Sequence, residues 1–268
     1  MKNSVPASAS PATTFDPVRV VRSVVFFAAL LALWGLLAAR HVWDETLFPS
    51  PAKVGLTLWH GLADRSLLIA TGVSLRRLIL GYLISIVIGL PLGVLLARKQ
   101  WAEDTLGLLV MGLQSLPSIC WLPLALLWFG LNDLAILFVV VMGAVLNITV
   151  AARDGVRNVP PVYLRAARTM GTKPLAIYTE VLLPAALPSL LIGAKLGWSF
   201  AWRSLMAGEL LFVSMGLGHS LMMGRELADM SQVIAVMLII IALGLLTDRE
   251  IFGVLERQIR ERWGLAEK

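Results

Sequence analysis

The chain has 268 residues, 58% of them hydrophobic and 15% charged, with a mean hydropathy of +0.81. That is more apolar surface than a water-soluble domain can bury, so composition excludes a soluble enzyme or binding module and indicates an integral helical membrane protein with one membrane domain. The formal charge of +6 does not indicate a nucleic-acid partner, because the basic residues lie between apolar runs, where the inward-facing loops of membrane proteins carry them.

Residues 1–16, rich in Ser, Ala, Pro and Thr, read as a disordered tail. Arg19 and Arg22 precede an apolar run over 23–39. This run fits a first span or a signal-peptide core, since Leu37-Ala38-Ala39 resembles a cleavage site; its length and the spans that follow favour a retained span. Ser50 can cap a helix that has Pro51 at its first position. Val54, Leu58 and Leu62 then recur every four residues as one stripe of an interfacial helix, and Trp43 and Trp59 suit the membrane–water boundary. A second span is expected over 72–97, closed by Arg98 and Lys99, with Gly89 and Gly93 around Pro91 allowing another helix to approach closely. A third, over 105–130, is interrupted by Pro117 and Pro123 and is expected to be kinked or locally unwound. Freed carbonyls must then find protein or water, so the segment fits either a translocation-path helix or a distortion satisfied by its neighbours. The single cysteine, Cys120, falls in this run; it cannot form an internal disulfide, is expected as a small core residue, and leaves the redox compartment open. Asn132-Asp133 make an outer turn before a fourth span over 134–152. A fifth follows over 187–213 and a sixth over 230–246, the latter ending at Asp248-Arg249 and a charged tail. The fold class is therefore all-α, a polytopic membrane helix bundle of about six transmembrane helices: tail 1–16, transmembrane domain 17–252, and cytoplasmic C-terminal tail 253–268.

The longest polar break lies over 160–188. Pro160 and Pro161 can occupy a first helical turn, where a missing N–H costs nothing. The helix runs to about Met170, and Gly171 suits the left-handed residue that closes it. Pro174 can open a second short helix, with Pro184 and Pro188 ending it. A structured loop between spans is most simply a docking element for a soluble partner; the other reading is an amphipathic loop resting on lipid headgroups. Six spans put both termini on one side, and that side holds 15 of the 23 Lys and Arg residues. It is therefore the cytoplasmic side, and it includes this loop.

The fifth span carries Lys195, Arg203 and Glu209. A charge near the bilayer centre costs at least about 2.5–3.5 kcal/mol, so each needs a partner or a wet cavity. Arg203 and Glu209 are six residues apart and point to different faces. Glu209 lies at the depth of Arg76 and Arg77, which predicts an intramembrane ion pair between the second and fifth spans. Arg203, near the middle, either faces the pathway and attracts an anionic substrate or belongs to a structural pair. Lys195, flanked by Gly193 and Gly197, is close enough to the inner end to snorkel. The chain has no phosphate-binding loop, no metal spacing among His41, His60 and His219, and no nucleophile motif. No catalytic residue, metal or cofactor is assigned, and the chain does not read as an enzyme.

Ala166, Ala167, Gly171 and Leu183-Pro184 resemble the "EAA…G…LP" loop of the membrane subunits (permeases) of ABC importers. In that family the loop, here 158–186, is a coupling helix that docks on a cytoplasmic ATPase. Arg165 departs from the pattern by standing where the family usually has glutamate, which implies a rebuilt pairing with the ATPase. Residues 48–51, 74–77, 81–82, 119–124, 127–130, 202–209 and 255–263 are similar to the nitrate/sulfonate/taurine permeases, so the resemblance covers roughly 47–263. It implies a permease in the bacterial plasma (inner) membrane that forms the path for a small anion. The partners it implies are cytoplasmic ABC ATPase subunits, a periplasmic or extracellular substrate-binding protein, the lipid bilayer and a second permease copy. A homodimer is the simpler pairing, and a similar second permease stays open. A self-contained secondary transporter is the alternative; it predicts internal repeats and usually more spans. An intramembrane enzyme would need facing polar residues in several spans, and only the fifth is rich in charge.

Overall fold

The computed structural model describes residues 17–211 and 214–262. The tail expected over 1–16, the last two residues of the expected fifth span and residues 263–268 lie outside the described residues. Among the described residues every regular element is helical, and the principal ones are α1 (Pro17–Ala39), α2 (Pro51–Ala63), α3 (Ser66–Arg98), α4 (Gln100–Gln114), α5 (Ser118–Phe129), α6 (Asp133–Arg157), α7 (Pro161–Thr169), α8 (Leu183–Leu211), α9 (Leu217–Glu226), α10 (Met230–Leu246) and α11 (Gly253–Arg262). Local chemistry sets several of these boundaries. Ser50 Oγ accepts the Lys53 N–H at 3.3 Å as α2 opens on Pro51. Asn132 Oδ1 accepts the N–H groups of Leu134 and Ala135 at 2.8 and 3.3 Å and starts α6, and Asp229 does the same for α10.

Five stretches are long and apolar enough to cross a membrane, and α4 with α5 makes a sixth if the two count as one span bent by 102°. Ion pairs at the two ends of α6 show that they run from one end of the bundle to the other. Glu103, in the first turns of α4, pairs with Arg153 and Arg157 at the C-terminal end of α6, at 3.3 and 3.1 Å. The end of α5 leads within four residues to Asp133 at the opposite end of α6, 2.6 Å from Arg77 of α3. The bend is a single break. Residues 115–117 leave the helix, Ser118–Trp121 form a tight 3₁₀ turn, and Pro123 sits in the first turn of the α-helical stretch that follows, where a proline is tolerated. Cys120 lies in that 3₁₀ turn and is exposed, which corrects its assignment to the core; the break turns its side of the chain outward.

The span over 187–213 also begins differently from expectation. Pro184 and Pro188 do not end a short helix. Residues 174–176, a π-helical turn (Ile177–Leu182) and α8 follow without interruption, with Pro188 inside α8. The shifted hydrogen-bond register of the π turn accommodates Pro184, which has no N–H to contribute.

α6 is the axis. Ile136, Val139, Val140, Ala144 and Ile148 are fully or almost fully buried against Leu78 and Tyr82 of α3 and Ala201 and Leu205 of α8. Small residues permit the approach. A Cβ at Gly93 would lie 2.5 Å from both Ala152 Cβ and Thr149 O, and one at Gly197 would strike Ile148 Cγ1. By contrast, α1 is exposed along most of its length, with Trp34 Nε1 donating to Pro49 O at 3.0 Å, as suits a helix facing lipid. Gly93→Val should therefore lower stability in detergent by about 1–3 kcal/mol through overpacking. Gly72→Ala in the same helix, with no atom within 4 Å of the added Cβ, should leave the thermal midpoint unchanged or slightly raised. Equal midpoints for the two variants would contradict this packing.

Candidate functional site

Three neighbourhoods carry polar or shaped features, and α8 runs through all of them. The first is the loop between α6 and α8. α7 ends in a Schellman arrangement: Gly171 has φ +75°, its N–H bonds Arg168 O at 3.0 Å, and the Thr172 N–H bonds Ala167 O at 3.1 Å. Ala167 is buried, and its neighbour in α7, Leu164, packs on a cluster of Val156, Val159, Leu182 and Ala186, whereas Arg165, Ala166 and Arg168 are exposed. Ala166, Ala167 and Pro184 line a groove of about 540 Å³ that runs from Pro160 to Pro188. Leu183, 37% exposed, does not line it. Arg98, ending α3, stacks over the Tyr178 ring at 4.8 Å and ties the π turn to the bundle.

The second neighbourhood is a cavity of about 280 Å³ at the α4–α5 break. Pro117 and Arg203 both line it, along with Gln114, Ser118, Asn147 and Phe200. Pro123 does not. Gln114 Nε2 donates to Asn147 Oδ1 at 2.9 Å. Arg203 is exposed, and among the described residues it has no carboxylate partner; its guanidinium lies 5.6 Å from the Phe200 ring centroid. Lys195 differs, pairing with Asp248 beyond α10 at 2.7 Å.

The third is a buried polar network at the end of the bundle near Asp133. Glu209, wholly buried, accepts from Arg77 Nη1 at 2.9 Å, from Ser74 Oγ at 2.7 Å and from the Gly218 N–H at 3.0 Å. Arg77 reaches Asp133 with its other terminal nitrogen and also donates to Met215 O. Ser74 Oγ accepts the Leu217 N–H at 2.8 Å. The carboxylate thus meets the N-terminal turn of α9, where backbone N–H groups lack helical partners and the helix dipole favours negative charge. Gly216 and Gly218 are sterically required, since a Cβ on either would lie 2.6 or 2.5 Å from Glu209 atoms. Arg77, not Arg76, makes the contact; Arg76 is exposed. Sequence reasoning missed Ser74, Asp133, Gly216 and Gly218. Ser74 was detectable as the residue three before Arg77 on the same helical face, and the Gly-x-Gly that follows the span was a signal of close approach.

Removing one partner of such a buried pair strands a charge. Glu209→Ala should cost about 3–5 kcal/mol, and Arg77→Met combined with Glu209→Ala should cost clearly less than the sum of the single changes. Strict additivity in detergent unfolding would show that the two residues are not coupled.

A model of the binding-protein-dependent transport system inner membrane component matches residues 89–261. An ABC transporter permease protein of Methanocaldococcus jannaschii is 34% identical over 83% of this chain and 85% of its own. An aliphatic sulfonates transport permease of Bacillus subtilis is 28% identical over 89% of this chain and 86% of its own, and a nitrate import permease of Synechocystis sp. is 26% identical over 86% of each. Among solved structures, an inward-facing form of the MetNI methionine ABC transporter superposes with a TM-score of 0.63 at 22% identity, covering 69% of this chain and 92% of that one. With half its length and more inside that family model and a relative above 30% identity across most of both chains, the protein belongs to the inner-membrane permease components of binding-protein-dependent ABC transport systems.

Proposed function

We propose that this chain is the membrane subunit through which an ATP-driven importer moves a small anionic solute. Two copies enclose the path, both termini and the α7 loop face the cytoplasm, and two ATPase subunits dock on that loop. The observation that carries the coupling role is the build of the loop. Exposed Arg165, Ala166 and Arg168 on α7 sit beside a 540 Å³ groove, and Met170 and Leu175 at its tip are 78% and 76% exposed. Apolar side chains held out on a rigid, capped loop suit insertion into a partner's cleft. The basic face of α7 calls for an acidic residue on the ATPase opposite Arg165, the reverse of the family's usual pairing.

The anionic solute is supported by the relatives named for sulfonates and nitrate and by Arg203, a cation that among the described residues has no carboxylate partner and that lines a cavity in the bundle. The chain itself supplies no chemistry. ATP-driven closure of the ATPases moves α7, and α8, continuous with the loop, carries that movement into the bundle.

Co-purification tests the docking reading. Proline cannot adopt the φ of +75° found at Gly171 and would remove the N–H that bonds Arg168 O. The wild-type chain should retain its ATPase through detergent purification, and Gly171→Pro should lose most of it while keeping the thermal midpoint of the bundle. Arg165→Glu should weaken retention as well. Full retention by Gly171→Pro would remove the loop from the interface.

A further inference from the structure

Resting on the importer reading, we infer that the cavity at the α4–α5 break is a second point of solute selection inside the permease, one that recognises an oxyanion headgroup joined to a short apolar tail. The headgroup side is polar and positive. Among the described residues, Arg203 is the only charged one lining the cavity. Gln114 Nε2 donates one hydrogen bond to Asn147 Oδ1, and Asn147 Nδ2 donates to Gly143 O at 2.9 Å. Each amide therefore has one further N–H for an incoming oxygen. Ser118 contributes a hydroxyl, and as the first residue of α5 it brings the positive end of that helix to the same place.

The tail side is aromatic and fixed. Trp121 packs edge-on against Phe138 at 6.2 Å, and Phe200 is held under the Arg203 guanidinium. The guanidinium, though exposed, is thus oriented over an apolar floor. At about 280 Å³ the cavity lies at the small end of ligand sites. A bare inorganic anion would leave the aromatic surface against water, whereas each methylene laid against it gains about fourfold in affinity. The break itself makes the room: were α4 and α5 one straight helix, the chain at 115–117 would not step aside.

The test is equilibrium titration of the permease–ATPase complex in nanodiscs, without binding protein, using nitrate, methanesulfonate and propanesulfonate as probes. Propanesulfonate should bind about tenfold or more tightly than methanesulfonate or nitrate. Arg203→Gln should lose at least tenfold for every probe, with partial recovery in Arg203→Lys. Trp121→Ala should abolish the preference for propanesulfonate while methanesulfonate still binds. Equal affinities for the three probes in the wild type, no binding of any of them, or unchanged binding in Arg203→Gln would each overturn the inference. If any of these occurs while the complete system still takes up solute on ATP, the importer reading stands and the cavity alone is rejected. Absence of ATP-driven uptake of any solute by the complete wild-type system would instead reject the importer reading.

Discussion

Everything else in the bundle depends on how closely α3 and α8 approach α6. Lipid offers helices no hydrophobic reason to associate, so contact must come from close van der Waals fit and from polar groups with no other partner. Gly93 lets α3 settle on Ala152 and Thr149, and Gly193 and Gly197 let α8 settle on Ala151 and Ile148. That spacing brings Glu209 within reach of Arg77 and Ser74 at one end, and it sets Arg203 against the cavity beside Gly143 and Asn147 in the middle. Were the helices further apart, the carboxylate of Glu209 would lose its partners without gaining water.

The same arrangement suggests how movement travels. From Pro174 to Leu211 the backbone is helical without a break, so the part of the loop that follows the Gly171 turn, the cavity-lining Arg203 and the network at Glu209 belong to one continuous element. The π turn at Ile177–Leu182 is the local irregularity in it, stacked against Arg98 through Tyr178. Under the proposed coupling, displacement of α7 would act on α8 through the short turn at Gly171, with the Glu209 network holding the far end. The polar groups are distributed to suit this. Among the described residues Arg203 has no carboxylate partner, whereas the terminal nitrogens of Arg77 and both carboxylate oxygens of Glu209 are engaged where the helices hold together.

Much of this was legible in the residues because it follows from local rules. Ser50-Pro51 opens a helix, Gly171 closes one, glycines four apart mark a contact face, and a carboxylate at the depth of an arginine in another span needs that arginine. What was not legible required knowing which way the backbone turns. Asn132-Asp133 reads as a turn, and only the folded chain shows that Asn132 caps α6 and that Asp133 reaches across to Arg77. Pro117 and Pro123 look equivalent in sequence, yet the first sits at the break and the second in a helical first turn where it disturbs nothing. Pro184 and Pro188 look like helix stops and are absorbed by a π turn and a long helix, because tertiary packing of α8 outweighs the cost of a missing N–H. Cys120 sits in an apolar run and still faces outward, since the 3₁₀ turn puts it on the side opposite Leu122, which enters the core.

The central claim is that this chain moves its solute only when an ATPase drives it. The measurement that tests it most directly is uptake into proteoliposomes holding the permease, its ATPase and its binding protein, with the ATPase either active or carrying a substitution of the lysine that holds the nucleotide phosphates. The account predicts ATP-dependent accumulation with the active ATPase and none with the inactive one, whatever ion gradient is imposed. Accumulation driven by a proton or sodium gradient with the inactive ATPase would contradict it and identify a transporter that works alone.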